Sequence, residues 1–222
     1  MSTTPTEASR SPASLDSATA VLAFIAWAGV LLQLVLSLQL ASSKGQSVAE
    51  GLSVYLSYFT VLTNFFVAFA LSAVLRKREG QADPLLARPQ VLACAAVSIA
   101  LVGLAYHVLL RHIWNPQGAQ WVADMTLHYV TPWLFVIWWL LKAPWPRMRW
   151  WSPLLWALYP TAYLAYALLR GLGVGSYPYP FIDAAALGYG HVIVNGLGLL
   201  AVFLVVAAVL LGLKHLWMKR RT

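Results

Sequence analysis

Thr60, Thr63 and Asn64 are polar side chains inside a run, residues 52–75, that is otherwise apolar and long enough to cross a bilayer. Polar groups at membrane depth need partners, and positions 60, 63 and 64 share one face of a helix, where they can meet a common one. Two more pairs carry a four-residue spacing, Asp124 with His128 and His191 with Asn195. A carboxylate one helical turn from an imidazole can hold its orientation and stabilise its protonated form, as a general base requires. Pro132, four residues beyond His128, removes a backbone donor and is expected to kink the helix there. Plainer roles compete at each position. A threonine can return its hydroxyl to a carbonyl one turn earlier, Asn64 can clamp two helices, and Asp124 can cap a helix start.

The elements that must position these groups are set by composition. The 222 residues are 60% hydrophobic and 10% charged, a balance that predicts an all-α polytopic membrane protein. Six apolar stretches reach the length of roughly 20 residues needed to span: 18–40, 52–75, 90–110, 125–141, 151–169 and 188–213. With an even count both termini share a side, and that side holds twelve of the fifteen basic residues, among them Arg10, Arg76, Lys77, Arg78, Arg88, Arg147 and Lys214. The positive-inside rule makes it cytoplasmic. Residues 1–17 read as a disordered cytoplasmic tail, 18–213 as a six-helix transmembrane domain and 214–222 as a basic cytoplasmic tail. The net charge of +8 is accounted for by the inner loops and requires no nucleic-acid partner. The single cysteine, Cys94, cannot form an internal disulfide.

Once the spans are oriented, the polar residues gather in the outer half. His107 lies a turn from the outer end of span 3, while Asp124 and His128 open span 4 and His191 and Asn195 open span 6. Along a straight helix, Thr60, Thr63 and Asn64 would lie about 12 to 18 Å deep, with Tyr55 and Tyr58 above them. The arrangement predicts an outward-opening polar pocket built from spans 2, 3, 4 and 6. The segment Ser176-Tyr177-Pro178-Tyr179-Pro180-Phe181, stiffened by its prolines, is placed to cover the mouth.

Three segments, Tyr58-Phe59-Thr60-Val61-Leu62-Thr63-Asn64, Met125-Thr126-Leu127-His128-Tyr129-Val130-Thr131-Pro132 and Tyr179-Pro180-Phe181-Ile182-Asp183, resemble motifs of the androgen-induced-gene family of membrane hydrolases and its bacterial relatives. The chain length and six-span layout agree over nearly everything after the N-terminal tail. The resemblance implies an intramembrane hydrolase that cleaves esters between fatty acids and hydroxylated fatty acids. The family's threonine nucleophile falls on Thr60 and its histidine on His128. Asp124 stands where animal members carry a further histidine, and Thr63 and Asn64 follow the nucleophile where those members carry an acidic residue.

On this reading Asn64 would donate to the oxyanion, with Asn195 or His191 next, and Asp124 would support His128. Tyr55, Thr63, His107, His191 and Asn195 would contact the lipid substrate. No metal or cofactor is required. The expected partners are a lipid and the bilayer, in a bacterial inner membrane; oligomeric state stays open. Alternative readings are an acyltransferase using the same residues, a zinc hydrolase built on His107, His128, His191 and Asp124, and a non-enzymatic transporter or binding protein.

Overall fold

The computed structural model of the protein describes residues 13–77, 82, 84–146 and 148–220, with side chains from residue 17. Most of the expected N-terminal tail lies outside the described residues, as do Arg10, Arg78, Arg147 and Arg221 of the basic inner set. Among the described residues all regular structure is helical. The longer elements are α1 (Ala13–Ser43), α2 (Val48–Leu56), α3 (Phe59–Leu75), α4 (Pro89–Ala105), α5 (Ala119–Met125), α6 (Thr131–Lys142), α7 (Ser152–Trp156), α8 (Leu158–Val174) and α9 (Ala184–Lys219). Three helical stretches are long and apolar enough to cross a membrane, Ser17–Ser43, Pro89–Leu110 and Ala184–Lys219, and the pair α2 and α3 would make a fourth. That length and composition suit a membrane protein, as do the apolar side chains turned outward, such as Phe24, Leu169, Val194 and Val205.

The run 52–75 is not the single straight helix expected from its composition. α2 and α3 meet at an angle of 80°. Ser57 closes α2 and Tyr58 is extended (φ −84°, ψ 128°). A break in an apolar setting must find partners for the backbone groups it frees. Three distant tyrosines supply them. Tyr163 donates to the Ser57 carbonyl at 2.8 Å, Tyr166 to the Leu56 carbonyl at 3.4 Å, and the Tyr179 hydroxyl accepts the Thr60 N–H at 3.2 Å.

The fourth stretch begins earlier than expected, at Ala119, so Asp124 sits in the last turn of α5 instead of at a helix start. A π turn, Thr126–Val130, joins α5 to α6, and a second one, Tyr106–Leu110, extends α4. Pro132 lacks the N–H that would bond the His128 carbonyl, and the wider turn absorbs that loss. The fifth stretch is divided into α7 and α8 at Ala157. Asp183 caps α9 by accepting from the Ala185 and Ala186 amides at 3.0 and 3.1 Å. Gly188 then leaves helical geometry (φ 75°, ψ 153°), a conformation that glycine adopts at little cost.

α3 packs against α1 and α4, and α4 in turn against α6 and α9. Their shared core holds Val67, Leu71, Leu92, Ile99, Phe135, Trp139 and Phe203, each at or near zero exposure. Ala93, Ala95 and Ala96 let backbones on α4 approach closely. α9 continues beyond the expected end of its span to Lys219. Lys214, expected in the basic tail, is instead buried, and its ammonium donates to the carbonyls of Trp139, Leu140 and Ala143 at 2.7, 2.8 and 2.9 Å. It thus caps the C-terminal end of α6, where a positive charge also complements the helix dipole.

Candidate active site

The break before α3 makes Thr60 the second residue of that helix, so its amide belongs to the first turn, whose N–H groups have no carbonyl within the helix to bond. The 80° bend also takes the rise of α2 off the α3 axis, so the depth estimated for a straight helix does not apply to Thr60. The Thr60 hydroxyl lies 3.3 Å from His128 Nε2 and 3.3 Å from the Tyr179 hydroxyl.

The other ring nitrogen of His128 faces only acceptors. Nδ1 is 3.0 Å from the Asp124 carbonyl and 3.2 Å from Asp124 Oδ1. Nδ1 must therefore carry the proton, and in the neutral ring Nε2 presents its lone pair to Thr60. Tyr106 braces the pair. Its hydroxyl donates to Asp124 Oδ2, and its ring stacks on the imidazole with centroids 3.9 Å apart at 17°. The chain Tyr106–Asp124–His128–Thr60 has the order of a catalytic triad with an orienting group behind it.

The remaining sequence-selected residues are dispersed differently. Asn64 donates both amide hydrogens to backbone, to the Thr60 carbonyl at 2.8 Å and the Leu127 carbonyl at 3.1 Å. The expected role as oxyanion donor is therefore corrected: with its donors spent, Asn64 clamps α3 to the π turn that carries His128. Thr63 lines neither cavity at Thr60 and pairs with the Tyr159 hydroxyl at 3.1 Å. Tyr55 stays on the wall of the chamber that Thr60 and His128 line, as expected, but its hydroxyl is committed to the Val30 carbonyl at 2.6 Å, pinning α2 to α1. Asn195 donates to the Phe181 carbonyl at 2.8 Å and so ties down the segment holding Tyr179.

His107 and His191 are exposed; the first pairs with Tyr129 at 3.1 Å and the second with the Leu187 carbonyl at 2.9 Å. Neither joins His128, so the zinc cage of three histidines and Asp124 is not assembled. Among the described residues no three His, Cys, Asp or Glu side chains converge in a way that could hold a metal.

Thr60 stands where two cavities meet. One, of about 430 Å³, is the more polar of the two: Gln33, Lys44, Gln120, Asp124 and His128 line it beside apolar residues such as Val54, Ile113 and Leu127. The other, of about 200 Å³, lies among apolar residues of α4, α8 and α9 such as Leu101, Leu164, Ile193 and Leu197. Thr60, Tyr106, Leu110 and Tyr179 line both. A hydroxyl at such a junction can meet an amphipathic molecule at the point where its polar and apolar parts join.

The sequence reading passed over Tyr106, and gave Tyr179 to a lid and to a motif of the resemblance without a role at Thr60. Tyr179 is buried instead, seated edge-on to Tyr58 at 5.6 Å and stacked on Phe181 at 5.1 Å. For Tyr106 a signal was present: it lies near the end of the apolar run 90–110, which the sequence placed level with His128. Comparison with family models, with curated proteins and with solved structures finds no match to this chain.

Proposed function

We propose that the protein is a six-span membrane hydrolase of lipid esters, with both termini cytoplasmic and with Thr60 as nucleophile and His128 as base. On this reading the stretch from α5 to α6 and the pair α7 and α8 complete the six spans. The distribution of basic residues and the exposed indoles at Trp114, Trp121 and Trp150 support that topology. The observation that carries the reading is the Thr60 hydroxyl 3.3 Å from a histidine nitrogen whose partner nitrogen is held by Asp124. It fits the activity implied by the resemblance to the androgen-induced-gene family.

In the first half-reaction the Thr60 hydroxyl oxygen adds to the ester carbonyl while its proton passes to His128 Nε2. Asp124, accepting from Nδ1–H, stabilises the imidazolium. The carbonyl oxygen becomes an oxyanion near the first turn of α3, whose dipole favours negative charge, and the Tyr179 O–H is the nearest side-chain donor. Collapse expels the alcohol, which takes the proton from His128 and leaves an acyl-threonine. Water, activated by the same histidine, then releases the acid and restores Thr60. The acyl chain occupies the apolar cavity and the alcohol leaves through the polar one.

The test is turnover of a fatty-acid ester of a hydroxylated fatty acid by purified protein in phosphatidylcholine nanodiscs, followed as free fatty acid released. Turnover in the wild type and its loss in Thr60→Ala and His128→Ala are expected. Hydrolysis that persists in Thr60→Ala would exclude the assignment.

A further inference from the structure

A third cavity, of about 540 Å³, opens at the other end of the helices. It touches Gln90, next to the first residue of α4, whereas Thr60 meets the far end of that helix at Tyr106. The sixteen residue steps from Gln90 to Tyr106 span about 24 Å along a helix, so the two sites are separate. The volume falls within the roughly 300–1,000 Å³ of small-ligand sites.

The walls are largely apolar and aromatic, with Phe66, Trp151 and Trp156 prominent. The polar groups at this cavity favour an anion. Arg149 is exposed, its guanidinium 5.3 Å over the Trp151 ring. Gln90 spends its oxygen on the Trp156 indole N–H at 3.2 Å, so what it offers a ligand is N–H. Among the described residues no acidic side chain lines it. An aromatic slot with hydrogen-bond donors and the Arg149 guanidinium at its rim is complementary to a carboxylate on a hydrocarbon chain.

We propose that this cavity binds a single-chain fatty acid, its carboxylate on Arg149 and Gln90 and its chain between Trp151, Trp156 and Phe66. The site does not depend on the chemistry assigned to Thr60. Its wall is nevertheless continuous with α3, because Tyr159, which lines it, bonds Thr63 at 3.1 Å.

Cys94, the single cysteine of the chain, lines the same cavity and reports its occupancy. With wild-type protein in phosphatidylcholine nanodiscs, laurate is expected to slow alkylation of Cys94 by N-ethylmaleimide at least about fivefold. Dodecanol should leave the rate unchanged. Protection should vanish in Arg149→Gln and persist in Thr60→Ala, which separates this site from the proposed hydrolytic one. An alkylation rate indifferent to laurate overturns the proposal. So does equal protection by dodecanol or in Arg149→Gln, which would mean simple partition of the chain. A diazirine-bearing laurate analogue gives an independent readout: crosslinks at Phe66, in residues 90–94 or in residues 149–159 that laurate competes away support the site, and crosslinks confined to other segments refute it.

Discussion

Tyr179 and Thr60 are 119 positions apart in the chain, yet the Tyr179 hydroxyl lies 3.2 Å from the Thr60 amide nitrogen and 3.3 Å from its side-chain oxygen. One phenol thus closes the start of α3 and sits against the proposed nucleophile. Tyr179 belongs to the connection between α8 and α9, and burial pushes its phenol up to about 12, so it remains an O–H donor at any ordinary working pH. Replacement by phenylalanine keeps the ring but removes that donor. Loss of one oxyanion donor lowers kcat by about 10²–10³. Tyr179→Phe is therefore expected to lower kcat by about 10²-fold with KM nearly unchanged, measured on the ester substrate. A change confined to KM would mean that Tyr179 only shapes the cavity.

Asp124 faces His128 with both a carboxylate oxygen and its backbone carbonyl. In Asp124→Asn the carbonyl still fixes the proton on Nδ1, and only the stabilisation of the imidazolium is weakened. The expected fall in kcat is about 10²-fold, less than the ~10⁴-fold seen when a triad histidine also takes the wrong tautomer. A loss as large as that of His128→Ala would show that the carbonyl alone does not hold the ring.

Much of the fold was legible because apolar run length reports helices directly. The Asp124–His128 pair was legible too, since a four-residue spacing keeps two side chains on one face even where the helix widens to a π turn. The break at Ser57 and Tyr58 was not, because no proline or glycine marks it. Its cause lies in hydroxyls from Tyr163, Tyr166 and Tyr179, more than a hundred positions downstream. Hydropathy likewise gives the depth of a side chain and says little about its direction around the helix. That is why His107 and His191, each near an end of an apolar run, could be drawn into a pocket that they do not line. For Asn64 the residue type suggested a donor, but the carbonyls that consume it come from Thr60 and Leu127 and are visible only in three dimensions.

Gly171 holds the segment bearing Tyr179 in place through an absence of atoms. A Cβ there would fall 2.0 Å from the ring of Tyr177. Gly171→Ala must displace that ring, two residues from Tyr179. Overpacking of this kind costs about 1–3 kcal/mol. A lower thermal midpoint and reduced turnover are expected, with partial recovery in the double variant Gly171→Ala, Tyr177→Ala. Additive effects of the two substitutions would rule out the contact as the cause.

Lys214 binds three carbonyls at the end of α6, far from Thr60. Lys214→Met keeps the aliphatic stem and leaves those acceptors without their charged partner, at a cost of about 3 kcal/mol. Thermal unfolding of the purified variant should show a clear drop in Tm while kcat of the folded fraction stays at the wild-type value. An unchanged Tm would remove the cap from the account of stability.

The central claim is that Thr60 is a nucleophile activated by His128, and covalent capture reads it without knowledge of the natural substrate. Protein treated with an alkyl fluorophosphonate, digested and mapped by mass spectrometry should carry one adduct on the Thr60 hydroxyl. Thr60→Ala should abolish that adduct and His128→Ala should slow its formation by orders of magnitude. An adduct on another residue, or labelling undiminished in either variant, would contradict the assignment of this pair.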